Sequence, residues 1–173
     1  MIIPLSTCTL RNFRFGDENS LQQNADNIAV WQNLRDSFPH PFSLNDAINW
    51  ISMNNAFQKP LNLAITVDDR VVGGIGILQQ TDIYRLNGEI GYWLGEPFWN
   101  KGIMSEAVPA MINYTFANFD IIRVYASVFE HNRASMRVLE KAGFHQEAIH
   151  QKAIFKNGVL LDEYLFTIVK PGA

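Results

Sequence analysis

The stretch Gly91-Tyr-Trp-Leu-Gly-Glu-Pro-Phe-Trp-Asn-Lys-Gly-Ile-Met-Ser-Glu-Ala107 has the make-up of an anion site. An apolar strand ends, a loop of small and polar residues follows, and a helix begins at about Gly102. The first turn of a helix carries N–H groups without intrahelical partners, and the helix dipole adds partial positive charge there. Gly102 lets the backbone approach a phosphate closely, and Lys101 adds a cation beside it. An ordinary strand–helix turn containing a glycine shares this outline, so local chemistry alone leaves both readings open.

Two well-known phosphate loops are excluded by spacing. Lys101 precedes Gly102, and no glycine stands at Walker spacing before it. Gly73-Gly-Ile-Gly76 lies inside a strand with no helix after it, which points to a bulge or a close backbone contact rather than a dinucleotide turn.

Three further residues carry chemistry. Asn132 is placed to cap a helix that closes at Gly143. Ser135 falls in the first turn of that helix, where a hydroxyl serves either the local backbone or a reaction. Glu89 shares a strand face with residues 91 and 93 and is either a proton acceptor or a solvated strand-end acid. Histidines 40, 131, 145 and 150 stand at no metal-ligand spacing with one another or with Cys8, so no metal is expected.

The elements that must hold these residues follow from patterning. A first strand is expected over Cys8–Phe15, then a short helix capped by Asp17 and another around Ala29–Leu34. Ser37-Phe-Pro-His-Pro-Phe42 is a stiff loop because its prolines deny a helix its donors. Ser43-Leu-Asn-Asp46 is a start signal for a helix carrying Ile48, Trp50 and Ile51. Leu61–Val67 and Val71–Leu78 form a hairpin around Asp68-Asp-Arg70, and Glu89–Leu94 is the next strand. A helix over Gly102–Asn118 has its apolar residues on one face, although Pro109 should bend it or stop it continuing straight. Ile121–Phe129 is a strand, and the last two strands flank Lys156-Asn-Gly158. The strand–helix–strand unit at 89–129 requires two parallel strands. The fold class is therefore α/β with a mixed sheet.

Composition bounds the rest. The 173 residues suit one domain, 47% are hydrophobic and 18% charged, as in a globular protein. A net charge of −3 offers no field for nucleic acid. The single Cys8 allows no internal disulfide, and no stretch is apolar enough for a leader or a membrane span, so a cytoplasmic protein is expected.

Three blocks together resemble a known family. Glu89-Ile-Gly-Tyr-Trp-Leu-Gly95, Trp99-Asn-Lys-Gly-Ile-Met-Ser-Glu-Ala107 and Asn132-Arg-Ala-Ser-Met-Arg-Val-Leu-Glu-Lys-Ala-Gly-Phe144 are similar to consecutive motifs of the GNAT N-acetyltransferase superfamily. The likeness is greatest to the branch that acetylates ribosomal-protein N-termini. Leu10-Arg-Asn-Phe13 with Asp17, and Pro39-His-Pro41 before a helix bearing Trp50, extend it over the whole chain.

The resemblance implies a single GNAT domain over residues 1–173, with a mixed central sheet, a splayed parallel strand pair and flanking helices. It implies acetyl-CoA as co-substrate, held by Leu94, Gly95, Trp99, Asn100, Lys101, Gly102, Ile103, Met104, Ser105, Asn132 and Lys141. Catalysis would fall to Ser135 as donor to the departing thiolate and Glu89 as base. Phe38, His40, Tyr92 and Trp93, with Phe42, would shape the groove for an amine acceptor. That acceptor is a peptide N-terminus or a small molecule, and the protein a monomer or homodimer. An α-amine, with a pKa of about 7.7–8.0, demands less of a base than a lysine at about 10.4.

The chain also departs from the family pattern. Trp99 and Met104 replace a polar and a small residue of the phosphate loop. Leu139 stands where many members carry a donor tyrosine, which keeps open a non-catalytic acyl-CoA-binding module. An unrelated nucleotide-phosphate enzyme is the other rival, without a Walker, Rossmann or metal signature behind it.

Overall fold

The turns Asp68-Asp69 and Asn157-Gly158 set much of the strand order. Each pair lies in the left-handed region, with φ of 48° and 63° in the first and 50° and 79° in the second. Tight hairpins need that conformation to match the twist of their strands. The computed structural model from which these angles come describes residues 1–55 and 58–173. They divide into two units, Met1–Gly76 with Tyr92–Ala107 and Ile77–Gly91 with Val108–Ala173.

The first unit contains β1 (Ile2–Pro4), β2 (Thr9–Arg11), α1 (Glu18–Ala25), α2 (Ile28–Trp31), α3 (Leu44–Asn54), β3 (Asn62–Val67) and most of β4 (Arg70–Gln79). The strands follow the order β1-β2-β3-β4 and are antiparallel throughout. The expected strand over Cys8–Phe15 shortens to β2, and β1 was not expected at all. Three residues ending in proline carry too little pattern to announce a strand.

Asp17 does not cap α1 with its side chain. It instead receives a bidentate pair from Arg11, with both N–O distances 2.8 Å and both side chains about 95% buried. Burial opposes the charge on Arg11, but Asp17 and then Asp69 outweigh it and hold the guanidinium pKa above its ordinary value. A buried cation outcompetes a helix end for the carboxylate. At α3 the expectation holds. Ser43 accepts from the Asp46 N–H, and Asp46 accepts from the Ser43 N–H at 2.8 Å, a complete capping box.

The glycine run of β4 proves to be both a bulge and a close contact. Register passes from Ile65↔Gly73 to Thr66↔Val71, leaving Val72 as the extra residue. A Cβ at Gly73 would run into the Trp93 carbonyl, and one at Gly74 would come within 2.9 Å of the indole nitrogen of Trp93.

The second unit holds most of β5 (Asn87–Leu94) and of α4 (Ile103–Asn118), with β6 (Arg123–Phe129), α5 (Arg133–Lys141), β7 (His145–Lys156) and β8 (Val159–Val169). Its strand order is β5-β6-β8-β7. β6 pairs antiparallel with β8 along its whole length, from Arg123↔Val169 to Phe129↔Glu163. β5 and β6 are parallel, as the strand–helix–strand unit requires, and α4 connects them.

That parallel pairing is short. It covers Asn87↔Arg123, Gly88↔Val124 and Glu89↔Tyr125, although β5 runs on to Leu94 and β6 to Phe129. The mixed α/β class, with a parallel pair that parts and helices at its flanks, is thus the architecture observed. α4 continues through Pro109 as one helix, so the proline does not end it. Val108 and Met111 are fully buried and Ile112 nearly so, and this packing offsets the roughly 3 kcal/mol that an interior proline costs. Among the described residues, no helix is long and apolar enough to cross a membrane.

Candidate active site

The loop between β5 and α4 is tied down at both of its shoulders. The Gly95 N–H donates to the Val72 carbonyl at 2.8 Å, so this amide is committed to the bulge of β4. A 3-10 turn, Glu96–Phe98, follows. Its Glu96 accepts from the Asn27 amide at 2.8 Å, while the Asn27 carbonyl oxygen caps α2 through Ala29 N–H at 2.7 Å. The Trp99 indole N–H donates to the Leu94 carbonyl at 2.7 Å. Trp99 therefore works as a clasp that closes the loop, its indole N–H committed to that bond while its ring stays partly exposed.

Beyond the clasp the backbone is in the left-handed region at Asn100 (φ 60°) and again at Gly102 (φ 80°). For Asn this conformation is tolerated, and for Gly it carries no steric penalty. Such turns point successive N–H groups into one concavity, which suits an anion. An added Cβ at Gly102 would meet nothing within 4 Å, so the space over the loop is open. The Ser105 N–H is already given to the Gly102 carbonyl at 3.0 Å. Ile103 and Leu94 are buried and can contribute only backbone, while Asn100 and Lys101 are exposed and Met104 and Ser105 half-buried. The Lys101 ammonium lies 5.2 Å from the centroid of the Phe98 ring.

One turn further along α4, Glu106 accepts from the Ser6 hydroxyl and from the Thr7 N–H and hydroxyl, the last two at 3.1 Å. The Ser6 hydroxyl, first among these donors, holds the Glu106 carboxyl below its usual range. The helix start is thereby pinned to the loop before β2 within the first unit.

The aromatic residues expected at an acceptor groove divide into separate sets. Phe38 stacks on Phe42 at 5.0 Å and meets Trp93 edge-on at 5.7 Å, so these three stand together. Tyr92 alternates with Trp93 and points to the other side of β5. His40 lies against Trp31 instead, with centroids 5.5 Å apart, and its Nδ1 is 3.6 Å from Asp26. Sequence reasoning missed both partners of His40, and missed the Asn27–Glu96 contact across 69 positions. No local pattern announces a contact of that range.

In the second unit Glu89 is a half-buried residue of β5, at the last position where β5 and β6 pair. Asn132 caps α5, its side-chain oxygen accepting the Ser135 N–H at 3.1 Å. The Ser135 hydroxyl is thus distinct from the capping group, which is the backbone of the same residue. Leu139 is fully buried in the core, as a residue without a donor should be. Lys141 is exposed in the last turn of α5, about 13 Å from Asn132 by helix rise, where the helix dipole favours a cation.

The strand pair of the second unit parts after three residues, and in the first unit the loop that opens α4 is left-handed at Asn100 and Gly102. Residues 8–145 fit the description "Acetyltransferase (GNAT) domain", and the chain belongs to this family. The Probable N-acetyltransferase YjcK of Bacillus subtilis (strain 168) is 40% identical over 104 residues, which is 60% of this chain and 58% of that protein. The chain thus matches less than two thirds of the length of that relative. A GNAT-family acetyltransferase from Bacillus anthracis has a crystal structure that superposes with a TM-score of 0.83 at 25% identity, over 98% of both chains. RimL, a ribosomal L7/L12 alpha-N-protein acetyltransferase in complex with coenzyme A, shares the fold with a TM-score of 0.83 at 22% identity over the full length of both.

Proposed function

We propose that this protein is an acetyl-CoA-dependent N-acetyltransferase acting on a primary amine, by direct attack in a ternary complex. The observation that carries the reading is the loop Asn100–Gly102, left-handed at both ends and opening onto α4, in a chain of the GNAT family. Its fit to a pyrophosphate rests on the open space over Gly102 and on backbone donors, to which side-chain identity at 99 and 104 matters little. Acetyl-CoA supplies a thioester whose acyl carbon a neutral amine can attack.

The residues of this chain supply the rest. Asn100–Met104 hold the phosphates, and the strand edge opened where β5 and β6 part receives the pantetheine arm. Glu89 takes the proton of the amine, directly or through one water, and Ser135 gives a proton to the departing sulfur. Phe38 and Trp93 wall the acceptor groove. The acceptor is a protein N-terminal α-amine, a class whose pKa of about 7.7–8.0 suits a single half-buried carboxylate as base. The whole resemblance to the ribosomal-protein branch supports that choice, and the cytoplasm as the place of action follows from it.

A non-catalytic acyl-CoA-binding module is favoured by one observation, the fully buried Leu139 at the position of the family's tyrosine. A screen of amine acceptors, with mass-spectrometric detection of product and measurement of free CoA, separates the two. We expect acetylated peptide and CoA in equal amounts. Acetyl-CoA binding without acetylated product from any peptide, polyamine or amino acid would establish the module instead.

A further inference from the structure

Of the chain's eleven glycines, ten have an evident reason to lack a side chain. Five, Gly102 and Gly158 among them, have positive φ. Five others, such as Gly74 and Gly88, would bring a Cβ within 3.0 Å of a neighbouring atom. Gly91 belongs to neither group. Its φ is ordinary, and a Cβ there would meet nothing within 4 Å. A glycine weakens a strand interior, and where no other backbone crowds it and its φ is ordinary, a close-lying ligand is a recognised reason for it.

Position 91 is informative. Along β5, Gly88 and Ile90 are buried, while Asn87, Glu89 and Gly91 face the other way and are increasingly open. Gly91 lies two residues past the last β5–β6 pair, on the face of Glu89 and about 6.6 Å further along the strand. A group above Gly91 therefore lies on the same face of β5 as Glu89, two residues along the strand. A ligand that hydrogen-bonds the free strand edge lies in the plane of the sheet, whereas the missing Cβ opens room above that plane.

We infer that Gly91 is bare to leave room for the amine-bearing residue of the acceptor, and that position 91 limits how large that residue can be. The acceptor class this selects is a primary amine on a substituted carbon, as at a peptide N-terminus. The inference rests on the proposed acetyl transfer to an amine.

The test uses Gly91→Ala and Gly91→Val with acetyl-CoA and hexapeptides beginning with Gly, Ser or Leu. Melting temperatures should not fall, because the site is open and φ ordinary. For the Val variant kcat/KM should drop at least tenfold, more for the Leu-first than for the Gly-first peptide, with Ala in between. The Kd for acetyl-CoA should stay within twofold, and the pH–rate curve should keep its shape. A Val variant within threefold of the parent on every peptide overturns the inference, and so does a lowered melting temperature. A tenfold weaker acetyl-CoA Kd with unchanged acceptor KM assigns the space to the donor and overturns it too. If the parent itself acetylates none of the peptides, the underlying acceptor reading has failed, which is a different result from a parent that is active and variants that match it.

Discussion

The starts of α4 and α5 are built in opposite ways. At α5, Asn132 offers its side-chain oxygen to the Ser135 N–H, so the helix satisfies its own first turn. α3 does the same with Ser43 and Asp46. α4 begins after Gly102, a residue with no side chain to cap with, entered through a left-handed Asn100. Its neighbours are spent on anchoring the loop, through Trp99, Gly95 and Glu106, rather than on filling the helix end. A helix entered through glycine differs from a capped one by what its cap position cannot do.

The same contrast separates two kinds of sensitivity. On the proposed reading the α4 loop binds through its backbone, so side-chain identity at Trp99 and Met104 should matter little. The roles proposed at the α5 start and at Glu89 belong to individual side chains, so single substitutions there should be felt in full.

The largest effect is expected at Ser135. Ser135→Ala retains the backbone N–H that Asn132 accepts, so α5 stays capped, while a proton donor to sulfur is lost. We expect kcat to fall by about 10²–10⁴ with the acetyl-CoA Kd unchanged. Steady-state kinetics paired with calorimetry checks this, and a kcat within a few-fold of the parent would leave Ser135 a first-turn residue only.

Asp17 breaks the comparison from another side, because this helix-start acid serves a buried cation instead of its helix. Asp17→Ala leaves the buried Arg11 with Asp69 as its remaining carboxylate and should destabilise by about 3 kcal/mol, the low end for breaking a buried pair. Urea denaturation measures it. A loss of about 1 kcal/mol would be the signature of a mere cap.

At Glu89 the expected change is smaller and conditional on pH. Glu89→Gln keeps shape and hydrogen-bonding reach but cannot accept the proton. The rate should fall by about 10² at neutral pH and recover as the acceptor deprotonates by itself, near pH 8–9 for an α-amine and above about 10 for a lysine. An unchanged pH–rate curve would show that water or another group takes the proton.

How much of this was legible in the sequence follows the range of the interactions. Ser43 with Asp46, Asp68-Asp69, Asn157-Gly158 and Asn132 with Gly143 are local devices, and each appears where the residues place it. Asp17 misled because its partner Arg11 lies across a loop and is buried, which no capping rule weighs. The glycines of β4 were legible as a close contact, but not as one made by Trp93. The loop before α4 was legible as a helix start with a glycine. The left-handed Asn100 and the Trp99 clasp, which give that loop its shape, depend on a carbonyl five residues back and were not.

The account turns on a backbone-built phosphate site at the start of α4, and calorimetric titration of acetyl-CoA tests it most directly. The parent, Lys101→Ala and Gly102→Val are compared, each with its melting temperature. Lys101 is exposed and its charge screened, so its removal should weaken binding only a few-fold. A branched Cβ at Gly102 projects into the open space over the loop and strains a backbone at φ 80°, so binding should fall by at least about 10². A folded Gly102→Val protein that binds acetyl-CoA like the parent would contradict the assignment.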